Sequence, residues 1–431
     1  MSGLTLSLVV VGVFCGAMLL AVPVAFALMA AAVAGLLAQG GISLMVVPQQ
    51  IFGGIDNLLL LAIPFFLLAG DLMTAGGLTE RLLAFCNALF GRFRGGLALS
   101  NVASATFMAG LSGSAVADTS ALGRVLIPAM VRNGYSPAFA AALTGCANVV
   151  GPIIPPSITF VLIGVLTNLS IGQLFLAGIL PGILYSLAMA LVAWVQSVRR
   201  GYPVYERVGL RAVLATGRRA FWALVMPVLI ITGIRTGVFN VTECSAVAVV
   251  YALIVGKFIY RELTWREIGA ALVRCARTTA MIMIVLGGAQ LVSWLLAYQN
   301  VPQQLADVML NASKHPWVFL LLVNILLLGV GTFMENGPAL VMLAPVLYPI
   351  AAKFGIDPYH FSMVVAVNLL IGLITPPVAL CLSIGALIGK VSNEKVLVES
   401  VPFFFAALAV LALVTYVPAV SLWLPSLFGG R

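Results

Sequence analysis

The sequence contains very little charge. Only 8% of its 431 residues are Asp, Glu, Lys or Arg, whereas 62% are hydrophobic and the mean hydropathy is +1.15. Because about a quarter of the residues in soluble globular proteins are charged, this composition excludes a soluble protein. It predicts an all-α polytopic membrane protein with about ten to twelve spans, since each helical span needs about 20 apolar residues.

Other absences narrow the class of function. Two histidines without an acidic cluster, and six cysteines without a C-x-x-C pair, argue against a transition-metal site and against disulfides. The chain has no Walker motif, which argues against ATP-driven transport, and no Gly-x-Gly-Asp motif, which argues against an intramembrane aspartyl protease. The residues that give the formal charge of +9 lie in loops between spans, as in membrane proteins, so we expect no nucleic acid. We expect no catalytic residue and no cofactor. The N-terminal apolar segment lacks the basic n-region of a signal peptide, so we interpret it as a span of the mature protein.

A polar stretch from Gly110 to Ser120 interrupts a long apolar region. Unpaired polar groups in such surroundings cost several kcal/mol each, so a use for them is expected. A second polar stretch, Gly331 to Pro338, begins 221 residues later. The same offset relates further pairs of helix breakers: Pro128 and Pro349, Gly134 and Gly355, Pro137 and Pro358, Gly151 and Gly372, and Pro155-Pro156 and Pro376-Pro377. The pattern predicts an internal duplication, with residues 1–210 and 211–431 as the two repeats.

The breaks predict two re-entrant hairpins and two discontinuous helices. Residues 97–134 fold into halves of about 16 residues, each reaching about 24 Å, which is short of the ~30 Å hydrocarbon core. Residues 137–166 are interrupted by three prolines, which cannot continue an α-helix. The second repeat places a hairpin at 316–354 and a broken helix at 358–390. The remaining predicted elements are short helices at 4–21 and 23–39, a span at 53–75 broken by Pro64, amphipathic helices at 79–92 and 303–313, and spans at 172–198, 219–237, 242–260, 265–298 and 400–425.

The basic residues predict the orientation. If the loops near 81–94, 199–219 and 257–277 and the end of the 358–390 span are cytoplasmic, eighteen of the 22 basic residues lie on that side, counting Arg124 and Arg132 of the first hairpin. Only Arg235, Lys314, Lys353 and Arg431 then lie on the other side. The first hairpin then enters from the cytoplasm and the second from outside, with both termini outside. An inverted duplication of this kind is typical of secondary transporters with a site at the membrane midplane.

Oxygen-bearing residues at the breaks predict cation sites. Asp118 and Glu335 are acidic residues that lie just beyond a hairpin break, and Ser112 and Ser114 supply hydroxyl groups. The breaks near 148–151 and 370–375 would free backbone carbonyls, and Na⁺ takes oxygen ligands of these kinds. Two alternatives stay open: each carboxyl caps the half-helix that follows it, and the serines and glycines only permit tight helix packing.

An anionic substrate would be met by half-helix N-termini and hydroxyl groups between the two tips. Arg124 could pair with a substrate carboxylate, or its side chain could reach the cytoplasmic face instead. Thr242 and Glu243 are expected to cap a helix. The predicted substrate-binding residues are Gly113, Thr332, Ser157 and Arg124.

The same motifs resemble the large membrane subunit of tripartite ATP-independent periplasmic (TRAP) transporters, over nearly the whole chain. The motifs are Gly110 to Asp118, Gly151 to Ser157, Val241 to Leu253, and Gly372 to Pro377. Where that family commonly has Thr-Pro-Thr-Glu, this chain has Asn240-Val241-Thr242-Glu243.

The resemblance implies an elevator mechanism, in which a transport domain of the hairpins and broken helices moves against a scaffold of the other spans. It also implies Na⁺-coupled uptake of a small organic acid, of the C4-dicarboxylate, keto acid or sialic acid class, across the bacterial inner membrane. The implied partners are a periplasmic solute-binding protein and a separate small four-helix membrane subunit. A stand-alone carboxylate symporter or antiporter, coupled to sodium or protons, is the alternative. The implied Na⁺-binding residues are Ser112, Ser114, Asp118, Asn148 and Gly151 in the first repeat, and Glu335, Asn336, Gly372 and Thr375 in the second.

Overall fold

A computed structural model describes residues 3–203, 209–312 and 315–428, and this part of the chain is helical without strands. Short 3₁₀ segments at Leu58–Leu61 and Asn148–Val150 and a π-helical segment at Val255–Ile259 extend some of the helices. The first ten α-helices are α1 Gly3–Leu19, α2 Val24–Gln39, α3 Val46–Ile55, α4 Ala62–Ala75, α5 Leu78–Phe90, α6 Gly96–Ser112, α7 Ala115–Arg132, α8 Pro137–Ala147, α9 Ile158–Thr167 and α10 Ile171–Arg199. The others are α11 Leu210–Arg235, α12 Val241–Ile254, α13 Trp265–Tyr298, α14 Val301–Ala312, α15 Pro316–Gly331, α16 Asn336–Lys353, α17 Pro358–Gly372, α18 Leu380–Gly389, α19 Asn393–Tyr416 and α20 Pro418–Phe428.

Six helical segments of the described chain are long and apolar enough to cross a membrane. The other apolar helices have 10–17 residues, and they include both halves of the second predicted broken helix. The protein is therefore a multi-pass membrane protein that combines complete spans with shorter helices. The six segments are Leu58–Ala75, Ile171–Arg199, Leu210–Arg235, Val241–Ile259, Trp265–Tyr298 and Asn393–Tyr416.

Both predicted hairpins are present. In hairpin 1, α6 packs against α7 and the chain turns at Gly113 and Ser114, three residues after the first glycine of the motif, Gly110. Gly113 has a φ of +61°, which favours glycine, and an added Cβ would lie 2.7 Å from the Pro156 carbonyl oxygen. Ser114 caps α7 by accepting a hydrogen bond from the Ala117 N–H at 3.4 Å. Hairpin 2 consists of α15 and α16, joined through residues 332–335.

Both predicted discontinuous helices are also present. The first comprises α8, a 3₁₀ turn, a non-helical break and α9, and the second comprises α17, a break at 373–379 and α18. Prolines in both breaks lack the N–H that a continuing helix would need. The first halves are the most deeply buried part of the fold, since α17 is buried throughout from His360 to Gly372.

The order of elements repeats along the chain. Helices α6 to α10 correspond to α15 to α19, and α7 and α16 each have 18 residues and begin 221 residues apart. Glu243 caps α12 as expected, in a reciprocal capping box with Asn240. Thr242 was expected to share this role but does not, since its hydroxyl donates to the Leu58 carbonyl at 3.4 Å. The repeat boundary at 210, the inverted orientation and the division into transport domain and scaffold stay predictions.

Three predicted boundaries were wrong. Pro64 does not break its span, because it lies in the first turn of α4, where its missing N–H needs no partner; the break lies at Asp56 and Asn57 instead. Helix α11 begins at Leu210, earlier than the predicted 219. The last predicted span is two helices, since Pro418 disfavours a helical conformation at Val417 before it. Part of the predicted linker, 204–208, and the end of the predicted helix at 303–313 lie outside the described residues.

Candidate substrate and cation site

The hairpin tips enclose a cavity of about 250 Å³. Hairpin 1 contributes Gly113 and Ser114, and hairpin 2 contributes Glu335 and Asn336. The second half of the first broken helix, α9, forms a third side, and α4 and α13 form a further wall. The cavity therefore lies between the elements that the sequence assigned to a transport domain and two helices assigned to the scaffold. Other lining residues are Leu67 of α4, Ile158 and Thr159 of α9, and Thr278, Met281, Ile282 and Val285 of α13.

Three half-helices point their N-termini at this cavity. Helices α7, α9 and α16 begin beside it, with Ser114, Ser157 and Glu335 at their respective N-caps. The first N–H groups of a helix lack intrahelical acceptors, and the helix dipole places partial positive charge there. This convergence suits a negatively charged group such as a carboxylate.

Ser157 has a capping function and does not line the cavity. Its fully buried hydroxyl donates to the Pro152 carbonyl and accepts from the Phe160 N–H at 3.4 Å. Ser157 thereby fixes the break to the start of α9. Substrate binding by Ser157 stays a prediction.

Asp118, Asn148 and Gly151 meet in the interior of the first repeat. Asp118 is 1% exposed and Asn148 is fully buried, and neither Asp118 Oδ2 nor Asn148 Oδ1 has a hydrogen-bond partner among the described residues. A Cβ added at Gly151 would lie 3.0 Å from Asp118 Oδ2 and 3.2 Å from the Asn148 carbonyl oxygen. Ser112 interacts with the Asp118 carboxylate, and its hydroxyl accepts from the Ser114 N–H at 3.2 Å.

These atoms have the chemistry of a site for a hard cation. Buried oxygens without partners are costly unless a ligand satisfies them. Asp118 Oδ2 and Asn148 Oδ1 are acceptors, and the missing side chain at Gly151 leaves room beside the first of them. Oxygen ligands of this kind suit Na⁺, so the residues of the first predicted site fit that ion.

The second repeat is arranged differently. Asn336 Nδ2 donates to Thr159 Oγ1 at 2.8 Å, which joins hairpin 2 to α9, and Glu335 is exposed at the cavity. Gly372 does not line the cavity but packs on the backbone of hairpin 2, since an added Cβ would lie 2.6 Å from the Gly331 carbonyl oxygen. Thr375 donates to the Ile371 carbonyl of its own helix at 2.8 Å. The structure therefore does not gather these four residues into one cluster, and their role as Na⁺ ligands stays a prediction.

Two predicted substrate contacts lie away from the cavity lining. Thr332 is 9% exposed and donates to the Gly329 carbonyl at 2.7 Å, within its own helical turn. Arg124 is exposed on α7 and is not among the lining residues. Substrate binding by either residue stays a prediction, without support from their positions.

Sequence reasoning missed Thr159 and Thr278. Thr159 is 3% exposed and accepts the Asn336 hydrogen bond, and its place two residues after the N-cap of a broken half-helix was a usable signal. Thr278 lies in the middle of the 34-residue helix α13, where nothing in the local sequence indicates which face meets the cavity.

Comparison with known proteins identifies the family. The chain matches the model of the tripartite ATP-independent periplasmic transporter, DctM component, over residues 11–420. It is 36% identical to the C4-dicarboxylate TRAP transporter large permease protein DctM of Rhodobacter capsulatus, over 98% of this chain and 99% of that protein. It is 38% identical to the sialic acid TRAP transporter large permease protein SiaM of Vibrio cholerae, over 96% of this chain and 97% of that protein.

A solved structure shows the same fold at low identity. The crystal structure of the Alcanivorax borkumensis YdaH transporter superposes with a TM-score of 0.60, at 16% identity, over 86% of each chain. The matched relatives DctM and SiaM are named as transporter permeases, not as enzymes. Since the family model covers nearly the whole chain, this protein belongs to the DctM component family of tripartite ATP-independent periplasmic transporters.

Proposed function

We propose that the protein takes up a small organic acid across the bacterial inner membrane, coupled to Na⁺. It acts with a separate small four-helix membrane subunit and a periplasmic solute-binding protein that delivers the acid. Relatives named for C4-dicarboxylates and for sialic acid support a substrate that carries carboxylates. The keto acids belong to the same chemical class.

The observation that carries this proposal is the convergence of three half-helix N-termini on one cavity beside a buried acidic residue. A carboxylate in the cavity would accept hydrogen bonds from the first N–H groups of α7, α9 and α16. Asp118 Oδ2 and Asn148 Oδ1 would hold Na⁺ behind the tip of hairpin 1. Bound Na⁺ supplies positive charge that offsets the Asp118 carboxylate, which would otherwise repel the anion.

The composition of the cavity walls supports an elevator movement. The tips and α9 present Ser114, Thr159, Glu335 and Asn336 among apolar residues, whereas the only polar lining residue from α13, a fully described helix, is Thr278, beside the apolar Met281, Ile282 and Val285. An apolar wall forms few directional bonds, so one side can slide past the other at low cost. The side with the polar groups would carry the substrate.

The test is uptake of radiolabelled organic acids into proteoliposomes under an imposed Na⁺ gradient. The protein is reconstituted with the small subunit, with and without the binding protein. We expect uptake only when all three components and Na⁺ are present. Uptake without the binding protein would support a stand-alone symporter, and uptake that is independent of Na⁺ would contradict the coupling.

A further inference from the structure

An ion pair joins α4 and α13 within their apolar sequences. Arg274 Nε donates to Asp71 Oδ2 at 3.2 Å, and the two side chains are 55% and 37% exposed. Charged side chains inside membrane helices are expensive and face other polar groups or water. The exposure of this pair therefore indicates that it borders an open space and is not packed in the interior.

The pair lies directly beside the cavity. Leu67 and Thr278 line the cavity, and Asp71 and Arg274 lie four residues from them on α4 and α13 respectively, and hence on the same helix faces. From Leu67 to Asp71 and from Thr278 to Arg274, the step leads toward the end of α4 that precedes Arg81 and the end of α13 that follows Arg261, which is the predicted cytoplasmic side. The ion pair thus lies on the same faces of α4 and α13 as Leu67 and Thr278, about 5–6 Å farther toward the cytoplasm along the helix axes.

The guanidinium group has capacity for a second partner. Arginine carries five N–H donors in a planar fork that matches a carboxylate. In residues 3–203, 209–312 and 315–428, only the Nε–H of Arg274 is used, by Asp71. Both Nη groups remain available to an anion on the exposed side.

The pair is not needed to hold the two helices together. Helices α4 and α13 pack against each other, and the Cys275 thiol, next to Arg274 in the chain, donates to the Pro64 carbonyl at 3.1 Å. An exposed ion pair adds only about 0–1 kcal/mol. A role in joining α4 to α13 therefore explains little of the cost of placing two charges there.

We propose that Arg274 is the contact that the scaffold offers to the carboxylate of the substrate between the cavity and the cytoplasmic face. Asp71 binds the guanidinium when no substrate is there, and competes with the substrate so that it is released. This inference rests on the proposed function, because it takes the transported solute to be an organic anion. It makes Arg274 a specificity-determining residue that lies outside the predicted binding residues.

The test compares Arg274→Gln, Arg274→Lys and the double variant Asp71→Asn with Arg274→Gln. Uptake of succinate, a C4-dicarboxylate, and of sialic acid is measured in the complete proteoliposome system, and equilibrium binding of the acid that the wild type accumulates is measured on the purified complex. We expect Arg274→Gln to lower the maximal uptake rate at least tenfold and to change equilibrium binding less than threefold. Arg274→Lys should retain part of the rate, because the charge remains.

The double variant separates a substrate contact from a structural pair. If Arg274→Gln fails only because it leaves Asp71 unpaired, neutralising Asp71 restores the rate, and the proposal is overturned. If Arg274 contacts the anion, the double variant stays as slow as Arg274→Gln. The matched control neutralises another ion pair, Arg200 and Glu399 at 2.8 Å, which lies away from the cavity lining and should keep the wild-type rate as Arg200→Gln with Glu399→Gln.

The outcome for the wild type distinguishes the two proposals. Organic-acid uptake by the wild type, together with a normal rate in Arg274→Gln, would overturn this inference and leave the proposed function in place. Wild-type proteoliposomes that accumulate no organic acid would overturn both.

Discussion

At Gly151, the absence of a side chain leaves room for an ion beside Asp118. We expect Gly151→Ala to lower Na⁺-dependent uptake at least tenfold, because the new methyl group would lie 3.0 Å from Asp118 Oδ2, in the space assigned to Na⁺. Tenfold corresponds to about 1.4 kcal/mol. The measurement is the initial uptake rate against Na⁺ concentration, where the variant should need more Na⁺ for half-maximal rate.

The control is a glycine that lies away from the predicted cation site. Gly329 in α15 has no atom within 4 Å of an added Cβ, so Gly329→Ala should keep the wild-type Na⁺ dependence. An unchanged Na⁺ dependence in Gly151→Ala would remove Gly151 from the cation site. Equal loss in both variants would point to a general effect of alanine and not to the site.

The hydroxyl group of Thr159 is the other single-residue feature that can be isolated. Thr159→Val removes the acceptor for Asn336 Nδ2 at 2.8 Å and leaves a partly buried amide unpaired, at a cost of about 1–3 kcal/mol. We expect the concentration of substrate for half-maximal uptake to rise about fivefold or more, since hairpin 2 would no longer be fixed to α9.

Thr167 provides the control for this prediction within the same helix. Its hydroxyl bonds only the Ile163 carbonyl of α9 at 2.6 Å, so Thr167→Val removes the same atoms without a contact to hairpin 2. Its half-maximal concentration should match the wild type. If the two valine variants behave alike, the bond between Asn336 and Thr159 has no part in substrate affinity.

At the scale of elements, α5 is attached to the segment before α13 by one exposed ion pair. Arg81 donates to Glu262 at 2.8 Å and stacks on Tyr260, and this hydrogen bond lowers the pKa of Glu262 below its ordinary value. A group with a depressed pKa adds stability above its unfolded pKa and loses it as the pH falls through the folded pKa. We therefore expect Glu262→Gln to melt below the wild type near pH 7, and the two melting curves to converge below about pH 4.

The measurement is thermal unfolding of the protein in nanodiscs across this pH range. Arg81→Gln should lose its pH-dependent deficit in the same window but stay less stable than the wild type below it, because its stacking on Tyr260 and its hydrogen bond to the Gly77 carbonyl at 2.7 Å are lost at every pH. Glu80→Gln, an exposed neighbour in α5, should keep the pH dependence of the wild type. A difference between Glu262→Gln and the wild type that stays constant with pH would exclude ionisation of Glu262 as its cause.

The sequence predicted the elements better than it predicted the site. Helix breakers act through local sterics, so the turn at Gly113 and both broken helices were placed within a few residues. The predicted break at Pro64 was wrong because proline is tolerated in the first turn of a helix. Where α4 begins, and hence whether Pro64 lies in its first turn, depends on the fold. Thr278 and the Asp71–Arg274 pair could not be found, since the face that a long apolar helix turns toward a cavity is decided by tertiary packing.

At the scale of the whole molecule, the proposed movement makes different demands on different contacts. Contacts between the transport domain and the scaffold must break during a transport cycle, whereas contacts within the transport domain must persist. An added Cβ at Gly110 in hairpin 1 would lie 3.0 Å from Pro227 Cβ in α11, across the first kind of contact. An added Cβ at Gly389 in α18 would lie 3.5 Å from Ala141 Cβ in α8, across the second kind.

The Cβ atoms of a disulfide are about 3.5–4.5 Å apart. The Gly389 pair lies within this range, and the Gly110 pair, at 3.0 Å, reaches it when the two helices separate by about 0.5 Å. In a chain whose six native cysteines are replaced by alanine, we expect oxidised Gly110→Cys with Pro227→Cys to lose uptake and to regain it on reduction. Oxidised Gly389→Cys with Ala141→Cys should transport at the rate of its reduced form, because both cysteines move together.

Full uptake by the first pair, with cross-linking shown to be complete, would mean that hairpin 1 and α11 do not move apart, and the elevator mechanism would have to be abandoned for this chain. Loss of uptake in both pairs would instead show that α8 and α18 also separate, so the transport domain would not move as one body.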